Sequence, residues 1–113
     1  LYIRRTMNKE KIIKKSETFT EIINQKQSIK NLYFSVFYQK SKKNMYGITV
    51  PKKVGKAYIR NKLKRQIKNI IITNEKDIQT SYNYVIIIKE PAKNLQYQLL
   101  EEELLKLLKK VRN

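Results

Sequence analysis

The strongest constraint on the fold is a short apolar run at residues 84–88, in which four of the five side chains are β-branched. A strand that is apolar on both faces has to be covered on both faces, and such strands lie inside a sheet. Pro91 would end the strand, because proline has no backbone N–H to donate to a neighbouring strand. The run therefore predicts a sheet with residues 84–88 as its central strand.

Two earlier segments also have the pattern of strands. Residues 32–38 alternate between two faces, with Leu32, Phe34 and Val36 on one and Tyr33, Ser35 and Phe37 on the other. The polar residues 39–44 predict a turn. Residues 45–50 would then return beside the first strand as the second strand of a hairpin.

Three helices complete the predicted order. Ser16 can cap a short first helix, on which Phe19 and Ile23 share a face. The second helix spans residues 56 to about 72, and Asn94 can cap the last. The expected core stripe of the last helix is Leu100, Leu104, Leu107, Leu108 and Val111. The predicted fold class is α/β (α+β), with helices on a small mixed sheet in the order α-β-β-α-β-α.

The length of 113 residues predicts a single domain, residues 1–113, with a core of modest size. Residues 1–15 are expected to form a flexible basic arm, in which Met7 is a candidate start residue. No apolar run approaches the roughly 18 residues of a membrane span, and the first residues lack the apolar stretch of a signal peptide. We therefore expect a cytoplasmic protein, and the absence of cysteine excludes disulfides.

The formal net charge of +17 indicates a polyanionic partner. The codon bias of an AT-rich genome would also enrich lysine, but it would not separate the two signs of charge along the chain. No Asp or Glu lies between Glu21 and Glu75, whereas thirteen Lys and Arg do. We interpret this segregation as functional.

Residues 52–68 concentrate the charge, with eight cations and no anion. At 100° per residue, Ile59, Leu63 and Ile67 lie on one side of the predicted helix, and the cations occupy the rest of its circumference. A solvated face stabilised by ion pairs would need acids three or four residues away, and the segment has none. The pattern therefore predicts a helix with one side in the core and the other facing phosphates.

RNA is the polyanion that fits this segment best. A membrane-surface helix would have a broad bulky apolar face, whereas this one has a narrow stripe and Tyr58 as its one aromatic residue. A DNA-binding helix-turn-helix would need a second helix just upstream, where a strand is predicted instead. Ala57 keeps the middle of the cationic side shallow, and Asn61 offers both a donor and an acceptor there.

The same residues resemble a known family. Residues 52–68 (KKVGKAYIRNKLKRQIK) are similar to the signature of the bacterial ribonuclease P protein component, and the likeness in element order covers nearly the whole chain. The RNR motif of that family falls here on Arg60, Asn61 and Lys62. Lys62 in place of arginine keeps the charge but loses the bidentate geometry. Two further departures are Pro51, where a small hydroxyl residue is common, and Tyr58, which replaces a small aliphatic residue.

The resemblance implies two separate RNA contacts. The basic helix would bind the catalytic RNA subunit, and a cleft would hold the single-stranded 5′ leader of precursor tRNA during its endonucleolytic removal. The implied RNA-subunit-binding residues are Lys52, Lys53, Lys56, Arg60, Asn61, Lys62, Lys64, Arg65 and Lys68. The implied leader-binding residues are Phe19, Ile23, Tyr33 and Phe37. Ordinary core packing is the alternative for Phe19 and Ile23.

The resemblance also implies a particular fold. The family has a two- or three-layer α/β sandwich similar to a domain of a ribosomal small-subunit protein. It contains a left-handed β-α-β crossover around the basic helix, although about 98% of such crossovers are right-handed.

No catalytic residue and no metal site is expected in this chain. It has no His and no Cys, and its one Asp, Asp77, has a single close acidic neighbour, Glu75. The holoenzyme would need Mg²⁺, held mainly by RNA and not tightly by the protein. A ribosomal or other structural RNA-binding protein without processing activity is the first alternative. A DNA-binding protein is the second, although neither DNA nor a membrane is the expected partner.

Overall fold

The computed structural model describes residues 27–42, 45–78 and 81–111. The strands in these residues are β1 (Ser28–Lys30), β2 (Phe34–Lys40), β3 (Tyr46–Thr49) and β4 (Tyr82–Ile88). The helices are α1 (Ala57–Thr73) and α2 (Tyr97–Leu108). Short 3₁₀ turns lie at Lys52–Val54, Glu75–Asp77 and Glu90–Asn94. The first predicted helix and the N-terminal arm fall outside the described residues.

The strands form one mixed sheet in the order β1-β2-β4-β3. β4 runs antiparallel to β2 and parallel to β3, with Ile86 opposite both Val36 and Ile48. The prediction that residues 84–88 form a central strand is confirmed. The strand β1, antiparallel to β2, was not predicted from the sequence.

The predicted hairpin between β2 and β3 is wrong, because β4 lies between them. β4 is apolar on both faces, so it gains most from a position with a neighbour on each side. β3 is instead parallel to β4, and α1 is the connection between them. A parallel pair needs such a crossover, since a tight turn can join only antiparallel strands. The left hand of this crossover stays a prediction from the family resemblance.

The main core lies between one face of the sheet and the two helices. β2 contributes Phe34 and Val36, both fully buried. The predicted leucine stripe of α2 is confirmed, since its members and Val111 are at most 2% exposed. Burial of each large aliphatic side chain in this way stabilises the folded state by about 1.5–3 kcal/mol. The other main contributors are Tyr46, Leu63, Ile67, Ile70, Ile71, Tyr84, Ile86 and Ile88.

Tyrosine rings pack together at one end of the sheet. The rings of Tyr46 and Tyr84 stack at 5.5 Å between centroids, and Tyr38 meets Tyr82 edge-on at 5.6 Å. Burial, followed by the neighbouring tyrosines, raises the pKa of the Tyr84 hydroxyl. These ring contacts join β2 to β4 and β3 to β4 at the same end of the sheet.

Two local predictions are also wrong. Leu32 does not share the core face of Phe34, because 64% of its surface is exposed. The side-chain oxygen of Asn31 accepts hydrogen bonds from the backbone N–H groups of Tyr33 and Phe34, each at 2.8 Å. These bonds hold the chain in a bend, and β2 therefore begins only at Phe34. Asn94 does not cap the last helix, since it ends a 3₁₀ turn and α2 begins at Tyr97.

Candidate nucleic-acid interface

Helix α1 is attached to the core by one side. Leu63, Ile67, Ile70 and Ile71 are buried, and Ile59 is half buried against the same core. The predicted helix and the predicted apolar side are thereby confirmed. Packing of the buried side fixes the orientation of the helix. The opposite side of α1 faces solvent over its first three turns and is accessible to a partner.

The nine residues predicted to bind the RNA subunit lie on α1 or on the turn before it. Seven are exposed: Lys52, Lys53, Lys56, Asn61, Lys62, Lys64 and Arg65. Arg60 and Lys68 are half buried. We call these nine residues the cationic face. Two adjoining elements therefore bring together residues that span seventeen positions in the chain.

Arg60 is held more firmly than an ordinary surface arginine. Its Nε donates to the carbonyl oxygen of Gly55 at 3.1 Å, at the point where the chain enters α1. Gly55 itself lies close to Ile59, since a Cβ atom at position 55 would stand 3.2 Å from the Ile59 side chain. The bond uses one nitrogen and directs the remaining guanidinium donors, which suit bidentate contact with phosphate.

The charge of α1 does not match its own dipole. Its first turn has no acid and its last turn has no base, the reverse of what stabilises an isolated helix. Lys56 occupies the N-cap position without a side-chain capping bond. The positive end of the helix dipole and the cations of the first turns therefore add to one another. An anionic partner would relieve this repulsion.

The second face of the sheet carries a smaller apolar cluster around Val85, which is fully buried. Phe37, Met45 and Ile87 pack partly buried against it. Tyr33 lies outside this cluster: it precedes β2 and packs partly against the main core. The structure thus places Phe37, but not Tyr33, on the second face. Phe19 and Ile23 lie outside the described residues.

A cavity of about 510 Å³ opens where β2 begins and β3 and β4 end. Its lining comprises Leu32, Ser35, Pro51, Lys53, Ile87, Ile88, Lys89, Glu90 and Pro91. Ile87 belongs to the second face and Lys53 to the cationic face, so the cavity adjoins both. The Nζ of Lys89 donates to the carbonyl oxygen of Asn31 at 2.6 Å, which places a cation at its edge.

Reasoning from the sequence did not place Lys89 beside either predicted RNA contact. The available signal was a cation directly after the central strand, where the ends of β-strands often form binding sites. Residues 27–42, 45–78 and 81–111 contain no group of three His, Cys, Asp or Glu side chains placed to hold a metal ion. Over the same part of the chain, neither helix combines the length and apolar character needed to cross a membrane.

Comparison with known proteins agrees with this geometry. The sequence model of the ribonuclease P family matches residues 7–112. The ribonuclease P protein component of Mycoplasma capricolum is 40% identical over 109 residues, which cover 94% of this chain and 100% of that protein. The chain belongs to the ribonuclease P protein family. The corresponding protein of Carboxydothermus hydrogenoformans is 36% identical over 91% of this chain and 92% of its own length.

Solved structures of family members confirm the fold. The ribonuclease P protein of Thermotoga maritima superposes with a TM-score of 0.83 at 30% identity, over 89% of this chain and 97% of that one. The ribonuclease P protein of Staphylococcus aureus superposes with a TM-score of 0.82 at 31% identity, over 91% of this chain and 98% of that one. The family inferred from residues 52–68 is confirmed, and with it a role in tRNA processing as an RNA-binding protein component. These matches support neither alternative, the structural RNA-binding protein or the DNA-binding protein.

Proposed function

We propose that this chain binds the catalytic RNA subunit of ribonuclease P through its cationic face and the 5′ leader of precursor tRNA through the second face of its sheet. It would thereby assist the endonucleolytic removal of the leader. The observation that carries the proposal is the outer side of α1, whose cations stand without a single acid on the helix. The family match of residues 7–112 supports the same function.

The cationic face suits a structured RNA. Its cations lie on a helix and the turn before it, so the spacing of their backbone positions is set before binding. Each Lys or Arg that neutralises a phosphate releases condensed counterions, which gives affinity that falls with salt. Arg60 and Arg65 can grip phosphates bidentately, whereas the lysines provide mobile positive charge.

The second face suits an unpaired strand. Phe37 offers part of an aromatic ring beside an apolar floor, and stacking of one base on such a ring is worth about 1–3 kcal/mol. Lys89 stands at the edge of the neighbouring cavity, where it can meet the backbone of the same strand. We therefore propose that the leader runs along the second face towards this cavity.

The cut itself is assigned to the RNA subunit. Hydrolysis of a phosphodiester needs a positioned base or metal ions. The described residues contain no carboxylate cluster that fits Mg²⁺, so the ions of the holoenzyme would be held mainly by RNA. The protein contributes substrate grip and neutralises charge where two RNA molecules meet. These roles imply a cytoplasmic location, where precursor tRNAs are processed in bacteria.

Reconstitution tests the proposal. The protein is mixed with a ribonuclease P RNA at low Mg²⁺, and leader removal from precursor tRNA is followed on a gel. We expect faster cleavage than with RNA alone, because the protein lowers repulsion between the RNA subunit and its substrate. Lys109→Ala, which removes one exposed charge at the end of α2, should stimulate as well as the wild type. An absence of stimulation by the wild-type protein would exclude the proposed function.

Phe37→Ala tests the assignment of the leader. We expect the holoenzyme with this variant to bind leader-bearing tRNA about fivefold or more weakly, the loss of one stacked base, and mature tRNA unchanged. Equilibrium binding of both tRNAs to the reconstituted holoenzyme measures the ratio. Equal weakening of both tRNAs would mean that Phe37 does not contact the leader.

A further inference from the structure

Tyr58 stands out among the exposed side chains. With 71% of its surface exposed, it is more accessible than the two other large apolar side chains that reach the surface of the described residues, Leu32 at 64% and Leu99 at 44%. A ring so exposed contributes little to the core, and tyrosine forms helices less readily than alanine or lysine. Folding therefore gives no reason for an aromatic residue in the first turn of α1.

The position of Tyr58 on the helix relates it to the cationic face. Residues at i, i+3, i+4 and i+7 share one side of a helix, and from Tyr58 this row continues through Asn61, Lys62 and Arg65. All four side chains are exposed. The row lies opposite the buried Leu63 and Ile67, near the middle of the outward side. A molecule that docks on Lys62 and Arg65 would therefore cover the ring of Tyr58.

The chemistry of the row points to a nucleobase. A phosphate has no flat apolar surface to offer a phenol ring, whereas an unpaired base does, and RNA presents such bases in loops and bulges. A protein partner would have to bring carboxylates for Lys62 and Arg65, while RNA supplies phosphates beside every base. We infer that Tyr58 stacks on one unpaired base of the RNA subunit, an inference that rests on the proposed function of the cationic face.

Stacking and phosphate contact differ in their response to salt. A lost phosphate contact lowers the slope of log affinity against log salt, because fewer counterions are released. A lost stacking contact lowers the affinity at every salt concentration and leaves the slope unchanged. Tyr58 can therefore be distinguished from its charged neighbours in a single titration series.

The experiment measures binding of the RNA subunit to the full chain at several salt concentrations. Tyr58→Leu keeps an apolar side chain without a ring, and Tyr58→Phe keeps the ring without the hydroxyl. We expect Leu to weaken binding about fivefold or more and Phe to bind within about twofold of the wild type, both with the wild-type slope. Leu99→Ala on α2 is the matched control and should bind normally. Circular dichroism melts check that each variant is folded.

Chemical probing locates the base. Among the nucleotides protected by the wild-type protein, one unpaired base should become reactive with Tyr58→Leu and stay protected with Tyr58→Phe. Normal affinity of the Leu variant would overturn the inference, as would an equal loss with Phe or a changed salt slope. In each of those cases wild-type binding and stimulation of cleavage remain, and the proposed function stands. Failure of the wild-type protein to bind the RNA subunit would instead rule out both the stacking of Tyr58 and the proposed function.

Discussion

At the scale of single residues, the two arginines of the cationic face are held differently. Arg60 is half buried and hydrogen-bonded to Gly55, so its direction is fixed before any partner arrives. Arg65 is exposed and lies on the outward row of α1. Arg60 would therefore lose less side-chain freedom on binding a phosphate than Arg65, whose direction is not fixed by a hydrogen bond of this kind.

We predict that Arg65→Ala weakens binding to the RNA subunit and makes the affinity less dependent on salt. One lost phosphate contact should reduce the slope of log affinity against log salt by about one unit. Filter binding over a range of NaCl concentrations measures this slope. Lys109→Ala removes the same charge from another surface and should keep the wild-type slope. If both variants gave the same slope, net charge rather than the position of Arg65 would govern binding.

Residue type and helical period were sufficient to locate the cationic face in the sequence, because every member lies on one continuous segment. They were not sufficient for the second face. Tyr33 left the predicted pattern because the hydrogen bonds of Asn31 bend the chain just before β2. Lys89 and Lys53 line the same cavity only once β4 has formed between β2 and β3. Contacts between distant segments depend on strand order, which local periodicity does not contain.

At the scale of elements, the sequence predicted what each segment is better than where it lies. α1, β4 and the leucine stripe of α2 followed from their own apolar patterns. The order of the strands did not, because β2 and β3 are compatible with a hairpin until β4 competes for the same edge. The structure adds that tyrosines from β2, β3 and β4 pack together at one end of this sheet.

The tyrosine packing predicts a loss of stability at alkaline pH. The pKa of Tyr84 is raised in the folded chain, mainly by burial and then by Tyr46, so the folded state holds this proton more tightly than the unfolded state. Its contribution is fully present below the unfolded pKa of about 10 and is lost as the pH rises further. Above about pH 10, the free energy of unfolding should therefore fall by up to about 1.4 kcal/mol per pH unit from this group.

Tyr84→Phe removes this hydroxyl and leaves every other side chain of the protein in place, so the difference between the two proteins reports on Tyr84. Urea unfolding at a series of pH values gives the free energies, and the wild-type curve should fall more steeply than that of the variant above about pH 10. Parallel curves would show that Tyr84 does not couple folding to a proton.

At the scale of the whole molecule, the net charge of +17 opposes folding and favours binding. Within residues 27–42, 45–78 and 81–111, surface ion pairs offset little of this repulsion. Lys93 and Glu90 are 3.3 Å apart, and Lys106 and Glu103 are 3.9 Å apart. Each pair has at least one exposed partner, and such pairs contribute at most about 1 kcal/mol each to stability. Repulsion among the cations of residues 52–68 acts over longer distances, and no acid within that segment opposes it.

We therefore predict that the protein without RNA becomes more stable as salt is added. Raising NaCl from about 0.01 M to about 0.1 M shortens the Debye length from about 30 Å to about 10 Å, which screens repulsion across the molecule. The midpoint of thermal unfolding, followed by circular dichroism, should rise over this range. A combined Lys62→Ala and Arg65→Ala variant should gain less from salt, because it starts with less repulsion. A midpoint that falls with salt would mean that attraction between opposite charges dominates the folded state. The cationic face would then not destabilise the folded protein.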